Sequence, residues 1–160
     1  MFYHTTYPSP LGNMTLLADD ESLLAAYFEG QTYFEDKFSG LNSRAEENAV
    51  LSQSILWLEA YFAGKNPDLA LLSLSGQGTD FQKRIWNQLL TIPAGETTSY
   101  GQLAKICQCK SAQAVGAAIG KNPLLIFVPC HRVLSSTGEL TGYSAGLERK
   151  SWLLEHEKKM

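Results

Sequence analysis

Residues 124–128 read Leu-Leu-Ile-Phe-Val, an unbroken apolar run that Pro129 closes immediately before Cys130-His131-Arg132-Val133. Proline has no amide hydrogen for a sheet ladder and its ring fixes φ, so a strand cannot run on through it. The spacing predicts a short buried strand over 124–128, with the chain leaving it where Cys130 begins. A group on such an exit is held by rigid structure and can still be reached.

A free cysteine is ordinarily a small buried hydrophobe. The neighbouring His131 points instead to chemistry: an imidazole can take the thiol proton, and the thiolate is the species that attacks. Adjacent residues of an extended segment face opposite sides, so the two are expected to cooperate through a turn or a water. The other cysteines, Cys107 and Cys109, complete an odd set of three with none before Cys107. That argues against a disulfide framework and for a reducing compartment. Cys107 and Cys109 are too few for a tetrahedral metal site and are expected to pack or lie at a turn.

A chain of 160 residues, 44% of them apolar, suits one ordinary domain or two small ones. No apolar run approaches the roughly 20 residues of a membrane helix, and Met1-Phe2-Tyr3-His4 lacks the pattern of a secretory signal. The cytoplasm is the expected compartment, with no membrane partner. The net charge of −3 divides unevenly, −7 over residues 1–75 and +4 over 76–160. A basic excess beside the thiol is compatible with phosphate contacts, and an acidic first half is expected to face away from a polyanion. The same excess could equally be a solvated surface.

Strands are expected over 2–7, 14–18 and 23–28, the last two folded at Asp19-Asp20-Glu21. Apolar residues at Val50, Leu51, Ile55, Leu58 and Phe62 give one helical face over 45–62, which Gly64 stops. Residues 69–74 form a further strand or an extended join, and 75–79 a linker. The second half opens with a helix capped by Thr79 and ended by Pro93. Two short helices follow, from Thr98 or Ser99 to Cys107 and from Ser111 to Lys121, a pattern shared by helix-turn-helix units and plain helical hairpins. The second is rich in small residues, and glycine inside a helix costs about 1 kcal/mol against alanine. Close packing against another helix, or close approach to a narrow DNA groove, would compensate.

The segment Pro129-Cys130-His131-Arg132-Val133, with Gly142-Tyr143-Ser144-Ala145-Gly146 and Trp152-Leu153-Leu154-Glu155-His156-Glu157, closely resembles the O6-alkylguanine-DNA alkyltransferases. The likeness extends back through Ser99-Tyr100-Gly101-Gln102-Leu103-Ala104, Ala114-Val115-Gly116 and Gly120-Lys121-Asn122-Pro123. In the first half only Pro10-Leu11-Gly12 and Tyr61-Phe62-Ala63-Gly64 carry it. The resemblance implies an α/β protein: a ribonuclease-H-like sheet-and-helix domain over 1–75, then a mainly helical winged-helix-like domain with a helix-turn-helix over 76–160.

It also implies a reaction, transfer of an alkyl group from O6 of guanine in double-stranded DNA to Cys130, with O4-alkylthymine as a second substrate. The protein would act as a monomer without cofactor or metal and be spent after one transfer. By position, His131 is the base, linked to the thiol through a water, and Glu157 orients it. Tyr100 donates to the leaving guanine and helps turn the nucleotide out, and Asn122 braces the turn around the cysteine. Tyr143 walls the pocket, the Ser144 amide lies near O6, and Ala145 beside Tyr143 sets the room for the alkyl group. The carbonyls of Cys130 and Val133 read the exocyclic amine. Ala112, Gln113, Ala114 and Ala117 lie along the minor groove.

Two positions depart from the family pattern. Gln113 stands where an arginine commonly enters the base stack, which implies weaker flipping. The first half holds His4 but no cysteine, so the N-terminal zinc of some members has no ligands. The rival readings are a non-catalytic or weakly active alkyltransferase-like damage-binding protein, and a cysteine hydrolase.

Overall fold

The Asp19 carboxylate accepts from the amides of Glu21 and Ser22 at 2.8 and 2.7 Å. This turn folds β2 (Gly12–Ala18) back on β3 (Leu23–Phe28) as an antiparallel pair. β1 (Phe2–Ser9) lies antiparallel to β2 on its other side, and β4 (Ser43–Ala45) runs parallel to β1, giving the order β3-β2-β1-β4. The computed structural model describes every residue of the chain and separates into two units, Met1–Gln77 and Gly78–Met160.

In the first unit every residue of β3 is buried, as its unbroken apolar sequence requires. Helix α1 (Thr32–Phe38) places Phe34 in a cluster with Leu17, Leu24 and Tyr27. Neither α1 nor β4 is visible in the apolar periodicity, because seven and three residues are too short to repeat a pattern. Helix α2 (Ala49–Phe62) starts later than expected, where the Asn48 side chain accepts from the Leu51 amide at 3.0 Å. Its buried face is Leu51, Ser54, Trp57, Leu58 and Tyr61, rotated from the expected stripe. Ser54 tolerates burial by donating to the Val50 carbonyl at 2.8 Å. Gly64, at φ +87°, ends the helix as expected. Leu69–Leu71 form a 3-10 turn, and Leu74 then bridges Leu23.

The second unit begins with a full capping box. Thr79 Oγ1 accepts from the Gln82 amide at 3.1 Å, and Gln82 Oε1 accepts from the Thr79 amide at 3.0 Å. Helix α3 (Asp80–Leu89) follows and stops before Pro93, burying Ile85, Trp86 and Leu89. Ser99 caps α4 (Tyr100–Ile106) and Ser111 caps α5 (Ala112–Gly120), so both expected starts hold. The Trp86 indole donates to the Ala118 carbonyl at 2.9 Å and fixes α5 on α3. Strands β5 (Thr98–Ser99) and β6 (Val133–Leu134) pair in parallel, and α6 (Leu147–Glu157) closes the chain. No helix is long and apolar enough to cross a membrane.

One expectation fails. Residues 124–128 are not a strand but a buried loop, in which Ile126 takes a left-handed φ of +74° and the Val128 amide returns to the Leu124 carbonyl at 2.9 Å. A short apolar run reports burial, and burial is all this segment has in common with a strand.

Candidate functional site

Asn122 builds the loop that presents the thiol. Fully buried, its Oδ1 accepts from the Leu124 amide at 3.0 Å and its Nδ2 donates to the Val128 carbonyl at 2.9 Å, clamping both ends. Pro129, at φ −81° and ψ 64°, then centres an inverse γ-turn closed by the Cys130 amide on the Val128 carbonyl at 2.8 Å. Cys130–Arg132 continue as a 3-10 turn. Proline thus redirects the chain at the expected residue, though it leaves a loop rather than a strand.

The turn sends His131 and Arg132 to one carboxylate. His131 Nε2 lies 2.6 Å from Glu157 Oε2, and Arg132 donates from Nε to Oε1 at 2.7 Å and from Nη2 to Oε2 at 3.0 Å. Arg132 Nη1 is held by the Ile92 carbonyl at 2.6 Å. Burial alone would raise the Glu157 pKa, but bonds and charge from His131 and Arg132 outweigh it and hold the carboxyl down at about 2. An ionised carboxylate only accepts, so Nε2 carries the imidazole hydrogen and Nδ1 presents a lone pair. That Nδ1 is buried and has no protein partner. Burial also lowers the His131 pKa, with Glu157 opposing and the charges of Arg132 and Lys150 adding to the fall. The resting ring is a neutral base.

Burial pushes the Cys130 thiol up to about 11, against the opposing influence of a hydrogen bond from Asn122 and the positive charge of Lys150. The resting sulfur is therefore protonated at neutral pH and 2% exposed, one residue before the neutral His131. Lys150 is fully buried and donates to the carbonyls of Val133, Thr141 and Gly142 at 2.6, 2.9 and 3.1 Å. It ties β6 to the loop that leads into α6. Sequence reasoning missed the roles of both Arg132 and Lys150. A signal for Lys150 exists: Lys150, Leu153 and Glu157 share one helical face, and all three are buried.

The remaining candidates surround this cluster. The Tyr143 ring centroid is 6.4 Å from that of His131, and its buried hydroxyl, whose pKa burial raises well above normal, has no partner. Ala145 is buried, Ser144 is exposed, and Gly146, at φ +95°, turns the chain into α6. The Val133 carbonyl accepts from Lys150. Tyr100 donates to the Thr141 carbonyl at 3.1 Å, and its ring lies 3.8 Å from where a Cβ on Gly116 would stand. Ala112, Gln113, Ala114 and Ala117 all face outward on α5, whereas Val115, Ala118 and Ile119 face the core. The outward small residues have no helix to pack against within this unit.

Residues 2–75 match the ribonuclease-like domain of the 6-O-methylguanine DNA methyltransferases, and residues 80–159 match that family's DNA binding domain. A methylated-DNA–protein-cysteine methyltransferase of Mycobacterium leprae is 41% identical over 159 residues, spanning 99% of this chain and 93% of the relative. One from Methanosarcina acetivorans is also 41% identical, over 97% of both. The crystal structure of Mycobacterium tuberculosis O6-methylguanine methyltransferase superposes with a TM-score of 0.85 at 42% identity, covering 99% of this chain and 93% of that one. A crystal structure of the Mycobacterium tuberculosis OGT in complex with DNA gives 0.86 at 41% identity, covering 98% and 92%. With both units matched in order and the likeness carried along nearly the whole length, this chain belongs to the 6-O-methylguanine DNA methyltransferase family.

Proposed function

We propose that this protein repairs alkylated DNA by moving the methyl or larger alkyl group from O6 of guanine onto Cys130, and that each molecule acts once. Residues 76–160 carry the activity. The observation that supports this most is the neutral His131, held by Glu157 at Nε2 with a buried, unpartnered Nδ1, one residue along the chain from a buried protonated thiol. Such a pair needs no external base. As sulfur attacks the alkyl carbon, its proton passes to Nδ1 through a water, and Glu157 stabilises the imidazolium that forms. Tyr100 protonates the departing guanine. The product is a thioether, which water does not readily cleave, so the protein is consumed.

The target base lies inside the duplex and must be turned out at a cost of a few kcal/mol. Face α5 suits the minor groove because Ala112, Ala114 and Ala117 let its backbone approach closely. Gln113 offers no charge and less stacking area than arginine, so flipping is slower than in members with arginine there. O4-alkylthymine is a second, poorer substrate, and the protein works as a monomer. Ala145 and Tyr143 set the size limit of the alkyl group, Ser144 offers its amide to O6, and the carbonyls of Cys130 and Val133 accept from the exocyclic amine.

A hydrolase reading is disfavoured because the Cys130 amide, a natural oxyanion donor, is already bonded to Val128. Titrating a methylated duplex with protein tests the proposal. One methyl transferred per protein, with no further turnover, is expected. Binding without transfer would make this a damage-recognition protein, and repeated release of product would make it a hydrolase.

A further inference from the structure

We infer that Cys107 and Cys109 form a reversible redox site in the turn between α4 and α5, where a peroxide converts them to a disulfide that loosens the DNA-facing helix. The DNA consequence rests on the proposed function; the disulfide does not. Cys107 ends α4 with its side chain buried, while Cys109 is partly exposed. Gln108 between them adopts a left-handed φ of +54°, rare for a residue with a side chain. The turn is held by the Gln108 amide on the Lys105 carbonyl at 3.1 Å and the Cys109 amide on the Ala104 carbonyl at 2.8 Å.

The turn leaves the two cysteines one residue apart. Helix dimensions put residues i and i+2 about 5.4 Å apart across a helical residue of either hand. A disulfide requires Cα atoms roughly 4.4–6.8 Å apart. The exposed thiol is also tied to the helix that follows: Cys109 Sγ donates to the Ser111 carbonyl at 3.4 Å, and Ser111 Oγ caps α5 by accepting from the Ala114 amide at 3.0 Å. Neither sulfur takes part in the chemistry at Cys130.

Hydrogen peroxide supplies the oxidant. The Cys109 sulfur attacks one oxygen; an S–O bond forms, the O–O bond breaks, and one water leaves with the thiol proton. The Cys107 sulfur then displaces the hydroxyl from that sulfenic acid, forming the S–S bond and releasing a second water. The thiols lose two electrons and two protons, all taken up by the peroxide. A bridge across one intervening residue is strained and readily reduced, which makes it regulatory rather than structural. It removes the Cys109 bond to Ser111 and pulls Cys107 from the core.

Trypsin cuts after Lys105 and Lys110, so Ile106-Cys107-Gln108-Cys109-Lys110 leaves as one peptide, apart from Cys130. Full-length protein treated with hydrogen peroxide, blocked with N-ethylmaleimide and digested should yield this peptide lighter by two hydrogens and unlabelled, reversed by dithiothreitol. In a Cys130→Ser background, oxidation should weaken the Kd for duplex DNA roughly fivefold, the size expected if losing the Cys109 contact displaces the adjoining Ser111 cap. Cys109→Ser, whose hydroxyl can still reach Ser111, should bind equally before and after peroxide. Maleimide on both cysteines after oxidation overturns the inference, and so does a bridge that leaves affinity unchanged. A bridge in a protein that binds no DNA even when reduced refutes the proposed function and leaves the redox site standing.

Discussion

Replacing Glu157 by glutamine preserves its shape and removes its charge. In the parent protein the carboxyl is held at about 2 against an ordinary 4.5, which corresponds to about 3 kcal/mol of differential interaction with the ionised form. The side chain is 1% exposed, so solvent screens little of this. A depressed carboxyl pKa stabilises the fold fully above about pH 4.5, and that contribution drains away as pH falls toward 2. Glu157→Gln should therefore lose about 3 kcal/mol of unfolding free energy at neutral pH, and show a shallower loss of stability between pH 4.5 and 2. A domain of ordinary stability survives this.

The kinetic effect should exceed the stability effect. Glutamine has one oxygen for two donors, and Arg132, permanently charged, will claim it. The amide nitrogen then faces His131 Nε2, which can accept only if the ring proton moves to Nδ1. That is the wrong tautomer for taking a proton from Cys130, and the transfer rate should fall by roughly 10²–10⁴. Single-turnover transfer from a methylated duplex measures the rate, urea unfolding the stability, and ¹⁵N-histidine NMR the tautomer. Transfer at the parent rate, or a His131 proton still on Nε2, would refute the reasoning.

Other perturbations separate the remaining parts. Lys150→Met removes the cation that favours the thiolate, so the rate should climb only at higher pH than in the parent, and unfolding free energy should drop by on the order of 3 kcal/mol; an unmoved pH–rate profile would exclude the charge from the chemistry. Gly116→Ala adds a methyl at 3.8 Å from the Tyr100 ring, an ordinary contact, and should stabilise α5 by up to about 1 kcal/mol while weakening DNA binding, as fluorescence anisotropy can show. A gain in both would mean that the helix does not approach DNA closely. Gln113→Arg should tighten damaged-duplex binding and speed repair, and equal affinity and rate in a single-turnover assay would remove the argument about flipping.

How much of this was legible in the chain depends on the range of the forces involved. The β2–β3 hairpin and the caps at Thr79, Ser99 and Ser111 are local: a polar turn or a hydroxyl three residues from its amide announces itself. The 124–128 loop looked like a strand because an apolar run records burial and not backbone shape, and because the clamp that bends it is a single residue, Asn122, two positions outside the run. The same limit governs the site. The motif likeness singled out Cys130, His131 and Glu157. The 26-residue separation of His131 from Glu157 hid the guanidinium that shares their carboxylate. Nothing in a charge count distinguishes Lys150, buried on three carbonyls, from the exposed Lys158.

The most direct test follows the methyl carbon. After incubation of the protein with duplex containing O6-methylguanine and digestion with trypsin, the peptide that ends at Arg132 should carry one added methyl group on Cys130, in a one-to-one ratio with the guanine restored, and Cys130→Ser should leave the DNA methylated. Guanine restored without a methyl on that peptide, or by the serine protein at the parent rate, would contradict the account.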